Sequence, residues 1–357
     1  MTIFSDQTID ETRLNEFMGK MVGDLGAAIS SALVVTGQKL GLYATLAEDG
    51  PMCENGLAKF SGTSPRYVLE WARNQAASGY ISYDPEEKQF YMTPEQAAVF
   101  ADEESPFFMG GGFYSIASVF ADEPKITEAF KTGDGLSWGD HNSCLFCGVA
   151  KFFKPTYKGN LLQNWIPALQ GVQEKLEKGA KVADVGCGFG HSTMILAEAF
   201  PNSQFYGYDF HAPSIEKARE LAWEKSLDNV TFEVARAKDF PGDNYDLITF
   251  FDCLHDMGDP AGAAKHVHSR LAEDGTWMIV EPFAHDCVED NLNPVGRVYY
   301  GFSTAVCIPT SLGQEVGAAL GTQAGEKKLR EVVTSGGFTQ FRRATETPFN
   351  MVLEARR

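Results

Sequence analysis

The sequence has no unbroken apolar run of the ~18–20 residues that a membrane span needs, so no membrane partner is expected. Met1 to Gln7 carry neither a basic patch nor an apolar stretch of signal-peptide type. Cysteine is sparse. The seven thiols are odd in number and scattered, which suits a reducing, cytoplasmic setting better than a disulfide framework. Cys144 and Cys147 form a lone Cys-x-x-Cys with no second pair at zinc-site spacing, so no metal is expected. Basic side chains are also short: 30 Lys and Arg face 48 Asp and Glu, a net charge of −18. Such a surface repels a polyanion, and no nucleic-acid partner is expected. Internal repeats and low-complexity tracts are absent.

What remains is an ordinary globular composition, 44% hydrophobic and 22% charged over 357 residues, enough for two domains. Residues 1–105 read as helices followed by a short β element. Asp24 to Leu46 is small and apolar, a buried or dimer-facing helix. Cys53 to Phe60 and Ser64 to Gly79 read as two helices, the second opening on a Ser64 cap with Pro65 at its first position. Tyr80–Ser82 and Gln89–Met92 flank the turn Asp84-Pro85-Glu86-Glu87 and predict a hairpin. Helix, helix, hairpin is the winged-helix order. Its candidate recognition helix carries Arg66 and Arg73, yet the region holds seven basic and sixteen acidic side chains, unlike a DNA reader. A dimerisation module, and hence a homodimer, is the better expectation.

Residues 106–178, rich in Phe, Gly and Trp, read as a helical connector and lid, with helices near Ile116–Phe130 and Leu161–Leu176. From residue 179 to 357 strands alternate with helices. Lys181–Val185, Gln204–Asp209, Val230–Val234, Asp246–Phe251 and Thr276–Glu281 are buried strands, with helices such as Ser214–Lys225 and Ala261–Leu271 between them. That alternation implies an α/β fold with a parallel, doubly wound sheet. Gln340–Thr345 and Asn350–Glu354 straddle Pro348 and predict a terminal hairpin.

The most informative segment is Val182-Ala183-Asp184-Val185-Gly186-Cys187-Gly188-Phe189-Gly190-His191, a buried strand running into three glycines and a helix. Glycines there let a ligand approach the backbone. Asp209 ends the next strand, 19 residues after Gly190, where an acid can accept both hydroxyls of a ribose. A dinucleotide fingerprint wants Gly where His191 stands, and a P-loop wants Gly-Lys-Ser/Thr; neither is present.

Asp-x-Gly-x-Gly-x-Gly with a later strand-end acid resembles the class I S-adenosylmethionine-dependent methyltransferases. Ala237-Lys238-Asp239-Phe240 follows the third strand, Tyr245-Asp246-Leu247-Ile248 opens the fourth, and the terminal hairpin matches an antiparallel last strand of that family's Rossmann-like, seven-stranded sheet. The resemblance covers about residues 178–357. With the winged helix it extends to a mycobacterial winged-helix methyltransferase group and, more distantly, to plant-type small-molecule O-methyltransferases. It implies S-adenosylmethionine as cofactor, held by Asp184, Gly186, Gly188, Gly190, Asp209, Phe210, Lys238, Asp239, Phe240 and Asp252, with a capping role at the glycine turn equally open to Asp184 and a turn cap open to Asp252.

Leu254-His255-Asp256-Met257-Gly258-Asp259 resembles the plant-type Leu-His-Asp-Trp-x-Asp segment, which implies His255 as catalytic base and Glu281 as the carboxylate that orients it; Glu326 is a second, weaker match. Met257 replaces the Trp. His191 is a cofactor-region or capping histidine, and His141, on the connector, is a further catalytic candidate. Phe146 and Tyr157, with Phe152, Phe153 and Trp165 as further lid aromatics, suit an apolar acceptor pocket. Arg297, Tyr300 and Gln314, between the fifth strand and the last helix, are the other acceptor contacts expected. The resulting expectation is methyl transfer to a small molecule, with a small thiol preferred over a phenol or carboxyl. A sensing regulator, with the winged helix on DNA and the methyl donor as effector, is the reading of another class.

Overall fold

The computed structural model describes residues 8–357; the reading of Met1 to Gln7 lies outside the described residues. The chain forms two compact units divided between Ala117 and Ser118.

The first unit opens on the helix Glu11–Lys39, capped by the Asp10 carboxylate on the Arg13 N–H. The single helix expected over 24–46 is in fact two. Gly41, at φ +67°, ends one and starts Leu42–Asp49. Of the two settings expected for this segment, buried or dimer-facing, the single chain buries only one face: Ser30, Ser31, Val34, Val35 and Gly37 are buried, while Ala27, Ala28, Ile29 and Ala32 are exposed. Leu14, Phe17, Met18, Val22, Leu25 and Ile29 form an exposed apolar stripe at three- and four-residue spacing. By length and composition alone this helix could cross a membrane, with a mean hydropathy of 1.3 over its best 18 residues, of which 22% are buried. Charged and small residues interrupt it, which is why no apolar run stands out in the sequence.

Helices Glu54–Ser61 and Pro65–Ala77 and the antiparallel strands β1 (Ser82–Asp84) and β2 (Gln89–Tyr91) complete the winged helix. Ser64 occupies the cap position before Pro65, but its side chain makes no capping bond. The turn between the strands is held by the Asp84 carboxylate, which accepts from the N–H groups of Glu86 and Glu87. Val34, Leu42, Tyr43, Leu57, Val68, Trp71 and Ile81 fill the core. The Trp71 indole N–H donates to the Leu33 carbonyl at 2.9 Å.

The second unit contains a seven-stranded sheet. Its strands are β3 (Lys181–Val185), β4 (Gln204–Asp209), β5 (Val230–Val234), β6 (Tyr245–Phe251), β7 (Leu271–Pro282), β8 (Gln340–Glu346) and β9 (Asn350–Arg356). The order is β5-β4-β3-β6-β7-β9-β8, with β3 to β7 parallel and β9 antiparallel to both β7 and β8. The central strands read as continuous apolar runs because helices cover both faces. One face packs Ala183, Val185, Ile248, Phe250, Trp277 and Leu353; the other packs Val182, Leu247, Met278, Val280 and Val352. Alternate residues of each strand therefore serve opposite cores.

Before the sheet come the helices Gly110–Thr132, which contains the division point, and Cys144–Asn160. The helix expected over 161–176 is interrupted. The wide π turn Leu161–Trp165 and the short Ile166–Ala168 end at Leu169, and Gly171 at φ +68° starts a separate helix, Val172–Lys178. After β7, helix Pro294–Phe302 runs through a second π turn, Ser303–Cys307, into Ile308–Leu312.

Candidate active site

β3 delivers the chain into Gly186–Gly190. The N–H groups of Gly186 and Cys187 both donate to the Tyr208 carbonyl, at 2.7 and 3.1 Å, so the loop is stitched to β4 as it turns. Gly188 and Gly190 both have positive φ, +53° and +74°, but differ in what surrounds them. A Cβ on Gly190 would lie 2.4 Å from the Phe232 ring; one on Gly188 would meet nothing within 4 Å. Gly190 lets helix His191–Ala199 pack closely on the sheet. Gly188 leaves open backbone for a ligand.

Asp209, at the end of β4, accepts from the Gly188 N–H at 2.9 Å and the His211 N–H at 2.8 Å. Burial raises its carboxyl above the ordinary range. The acid is thus fixed beside the open glycine, with lone pairs left for further donors. His191 also reaches the cleft. Burial, together with Lys154, Lys225 and Lys158 nearby, pushes its ring down to about 4 and keeps it neutral.

A cleft of about 480 Å³ opens at the carboxyl ends of these strands. Its lining includes the glycine loop, Asp209, Phe210 and residues 235–238, the aromatic side chains of Trp138, Phe146, Phe153 and Tyr157, and Thr310 with Gly313–Glu315. Asp252, Cys253, Asp256 and Met257 line it as well. Trp138 and Phe146 pack at 5.5 Å, and Phe146 lies 4.7 Å from the His211 ring.

Residues 252–257 carry the densest charge. Asp252 adopts φ +50° and accepts from the Asn350 amide at 2.8 Å; burial, and then the Glu281 charge, push its carboxyl well up. Glu281 accepts from the Leu254 N–H at 2.8 Å and contacts His255 Nδ1 at 2.5 Å. Burial opposes charge on His255, but Glu281 outweighs it and holds the ring protonated; the ring also shares a hydrogen bond with the Cys307 thiol. Burial pushes the Asp256 carboxyl up to about 7.

Residues 176–334 match a family model described as a methyltransferase domain, and residues 27–101 match one described as an Rv2258c-like winged HTH domain. The chain thus carries a methyltransferase domain and an N-terminal winged helix. Its cofactor is S-adenosylmethionine. The loop and cleft fit that group, since Gly188 leaves room along the backbone and Asp209 stands where a ribose would be held. The chain is 30% identical over 122 residues to the uncharacterized methyltransferase YcgJ of Bacillus subtilis, covering 33% of this chain and 47% of that protein. It spans less than half the length of the first curated relatives that it matches. A solved Nostoc punctiforme protein described as an O-methyltransferase superposes with a TM-score of 0.71 at 18% identity, covering 95% of this chain and 98% of that one. Human N-acetylserotonin methyltransferase, solved with S-adenosylmethionine, gives 0.67 at 15% identity, with 99% of each chain covered.

In the methyltransferase, Gly186, Gly188, Asp209, Phe210, Lys238 and Asp252 line the cleft, as do Phe146, Tyr157 and Gln314. Other expected residues are placed elsewhere. Asp184 is fully buried behind the loop, where its carboxylate accepts from the hydroxyls of Ser192, Thr193 and Thr249 at 2.7, 2.6 and 3.1 Å; it ties the glycine loop to the helix start. Asp239 accepts from the Arg236 N–H and closes a turn, and Phe240 is buried against Tyr208 and His266, so the cleft takes residues 235–238 instead.

Arg297 and Tyr300 do not reach the cleft. Their helix, capped by the Asn293 side chain on the Gly296 N–H, buries Gly296 and Tyr299 instead. Glu326 pairs with Arg343 and Arg330, away from His255. His255 is buried, and the cleft wall is formed by Asp256 and Met257 beside it rather than by its ring. His141 is buried as well, between Asp122 and Thr310. Trp165 belongs to the core, and Phe152 stays off the cleft wall. Among the described residues no group of three or more His, Cys, Asp and Glu gathers as a metal site. The sequence reading passed over Asp256 and Thr310. The acid is visible in the Leu-His-Asp segment, but nothing local marks the threonine.

Proposed function

We propose that this methyltransferase alkylates an oxygen of a small aromatic hydroxyl compound. The observation that carries the reading is the aromatic group Trp138, Phe146, Phe153 and Tyr157, which lines the same cleft of about 480 Å³ as the glycine loop. A flat ring has more to pack against there than a small thiol, and the preference for a thiol gives way. The bound cofactor supplies an activated methyl group, whose bond to sulfur breaks as the bond to the acceptor oxygen forms. The chain aligns the two and excludes water.

The hydroxyl proton must also leave. His255, already protonated against Glu281 and off the cleft wall, is poorly suited to take it. Asp256 lines the cleft, and a carboxyl near 7 is part ionised at neutral pH, so we assign the proton to Asp256. The His255–Glu281 pair then fixes the 252–257 segment and keeps a positive charge beside it.

Three further parts belong to this reading. The exposed stripe of the helix Glu11–Lys39 is the seam with a second copy of the chain. Arg66 and Arg73 are each bound to Glu70, so the helix Pro65–Ala77 offers little free cationic surface to DNA. None of the seven cysteines is in a disulfide, in keeping with a cytoplasmic enzyme.

The test is calorimetric titration with S-adenosylmethionine, then donor consumption against matched phenols and thiols. Micromolar binding with turnover on phenols supports the reading. Turnover on thiols alone overturns the acceptor, and absence of binding overturns the enzyme.

A further inference from the structure

A second histidine–carboxylate pair lies outside the machinery described above, and it ends on the cleft wall. Asp122, His141 and Thr310 come from three distant segments and are each almost fully buried. His141 Nδ1 lies 3.4 Å from the Asp122 carboxylate, and its Nε2 lies 3.4 Å from the Thr310 hydroxyl. Thr310 lines the cleft; His141 and Asp122 do not. The arrangement is anchored on both sides. The Leu136 N–H donates to the Pro309 carbonyl at 2.9 Å, joining the segment before His141 to the helix that carries Thr310. Asp122 accepts from the Asn142 N–H at 2.6 Å and from Lys125 at 2.9 Å; Lys125 also donates to the Asp140 carbonyl.

Proton positions follow from these partners. Burial lowers the His141 pKa, so the ring is neutral, and although burial opposes charge on Asp122, Asn142 and Lys125 hold it ionised. A carboxylate only accepts, so Nδ1 carries the ring proton and Nε2 is bare. The single hydroxyl proton of Thr310 therefore goes to Nε2. The hydroxyl oxygen is left with lone pairs alone for the cleft.

We propose that Thr310 is a specificity-determining residue of the acceptor site, which selects molecules bringing an O–H or N–H to that point of the wall. His141 and Asp122 are positioning residues that fix the direction of its hydroxyl. The proposal rests on the cleft being the acceptor site of a methyltransferase. It differs from the assignment of Asp256, because it concerns recognition and no proton leaves the acceptor through it.

The test compares resorcinol with its monomethyl ether, 3-methoxyphenol, as binding probes on protein saturated with S-adenosylhomocysteine, read by calorimetry; both keep one hydroxyl for Asp256. One hydrogen bond to a neutral group predicts about a fivefold preference for resorcinol. Thr310→Val, which keeps the shape without the hydroxyl, should abolish that preference and leave S-adenosylhomocysteine affinity within about twofold. Thr310→Ser should restore it. Nitrogen NMR of the histidines reads the tautomer without either ligand, and the Nδ1–H form is expected for His141. An Nε2–H form, equal binding of the two probes, or a preference that survives Thr310→Val would overturn the proposal. Loss of S-adenosylhomocysteine binding in the unaltered protein would instead overturn the methyltransferase reading, and the tautomer would still be read.

Discussion

The two sides of the cleft are built in opposite ways. The side proposed for the cofactor is made of short consecutive stretches, Gly186–Phe189, Asp209–Phe210 and residues 235–238, each at the carboxyl end of a strand. Its geometry is mostly backbone: positive φ angles, N–H groups on the Tyr208 carbonyl, one carboxylate on the Gly188 N–H. The side proposed for the acceptor draws single side chains from a connector and from helices far apart in the chain, with Trp138, Phe146 and Tyr157 lining the same cleft as Thr310 and Gln314. Backbone sites are constrained by the fold that makes them. Side-chain walls can change one residue at a time, which is where differences of substrate are expected to lie.

The largest expected effect sharpens that contrast at Asp256, which lines the same cleft. Asp256→Asn should lower kcat about 10²–10⁴-fold while the cofactor affinity holds, as expected for a proton acceptor. The activity of the unaltered enzyme should rise with pH through about 7 as this carboxyl ionises, and the variant should lose that limb. The sign for stability is opposite. A carboxyl whose folded value is raised favours the folded state when protonated, and that advantage fades as pH climbs from the unfolded value through about 7. Asp256→Asn should therefore gain more in Tm at pH 8 than at pH 4.5. A variant with normal kcat would return the proton to His255.

Next come the glycines. Gly190→Ala combines positive φ with a 2.4 Å approach to Phe232 and should cost about 3 kcal/mol in chemical denaturation. Gly188→Ala meets open space, should cost only about 1 kcal/mol, and should instead weaken S-adenosylmethionine about tenfold by calorimetry. Equal stability losses would erase the distinction between packing glycine and ligand glycine. A smaller effect is expected at the seam, where Leu25→Glu with Ile29→Glu should shift a dimer to monomer in light scattering with the fold intact. Smallest is Arg297→Ala, whose side chain is off the cleft and should leave kcat/KM within about twofold; a larger change would move that helix back into the acceptor site.

The cofactor wall was legible in the sequence because strand, glycines and acid are local and regularly spaced. Even there one detail escaped: the loop after β5 closes on Asp239 rather than presenting it. Asp184 takes the structural role, binding three hydroxyls behind the motif, that its place at the glycine turn had left open beside cofactor contact. The acceptor wall was legible only where bulk betrayed it, as at Phe146 and Tyr157. Arg297 and Tyr300 were misplaced because the buried face of their helix falls on Gly296 and Tyr299, and a shift of one residue turns a side chain by about 100°. Thr310 is silent in sequence because its meaning lies in partners 169 and 188 positions away.

The wide turn Ser303–Cys307 has a consequence of its own. It carries one extra residue per hydrogen-bonded ring just before Thr310, and Cys307 and Thr310 share the face that meets both histidines. Deleting a single residue there would tighten the turn and swing the hydroxyl a quarter-circle or so out of the wall, leaving β3, β4 and their ligand loop untouched. One codon could thus re-tune what the enzyme accepts without altering what it donates.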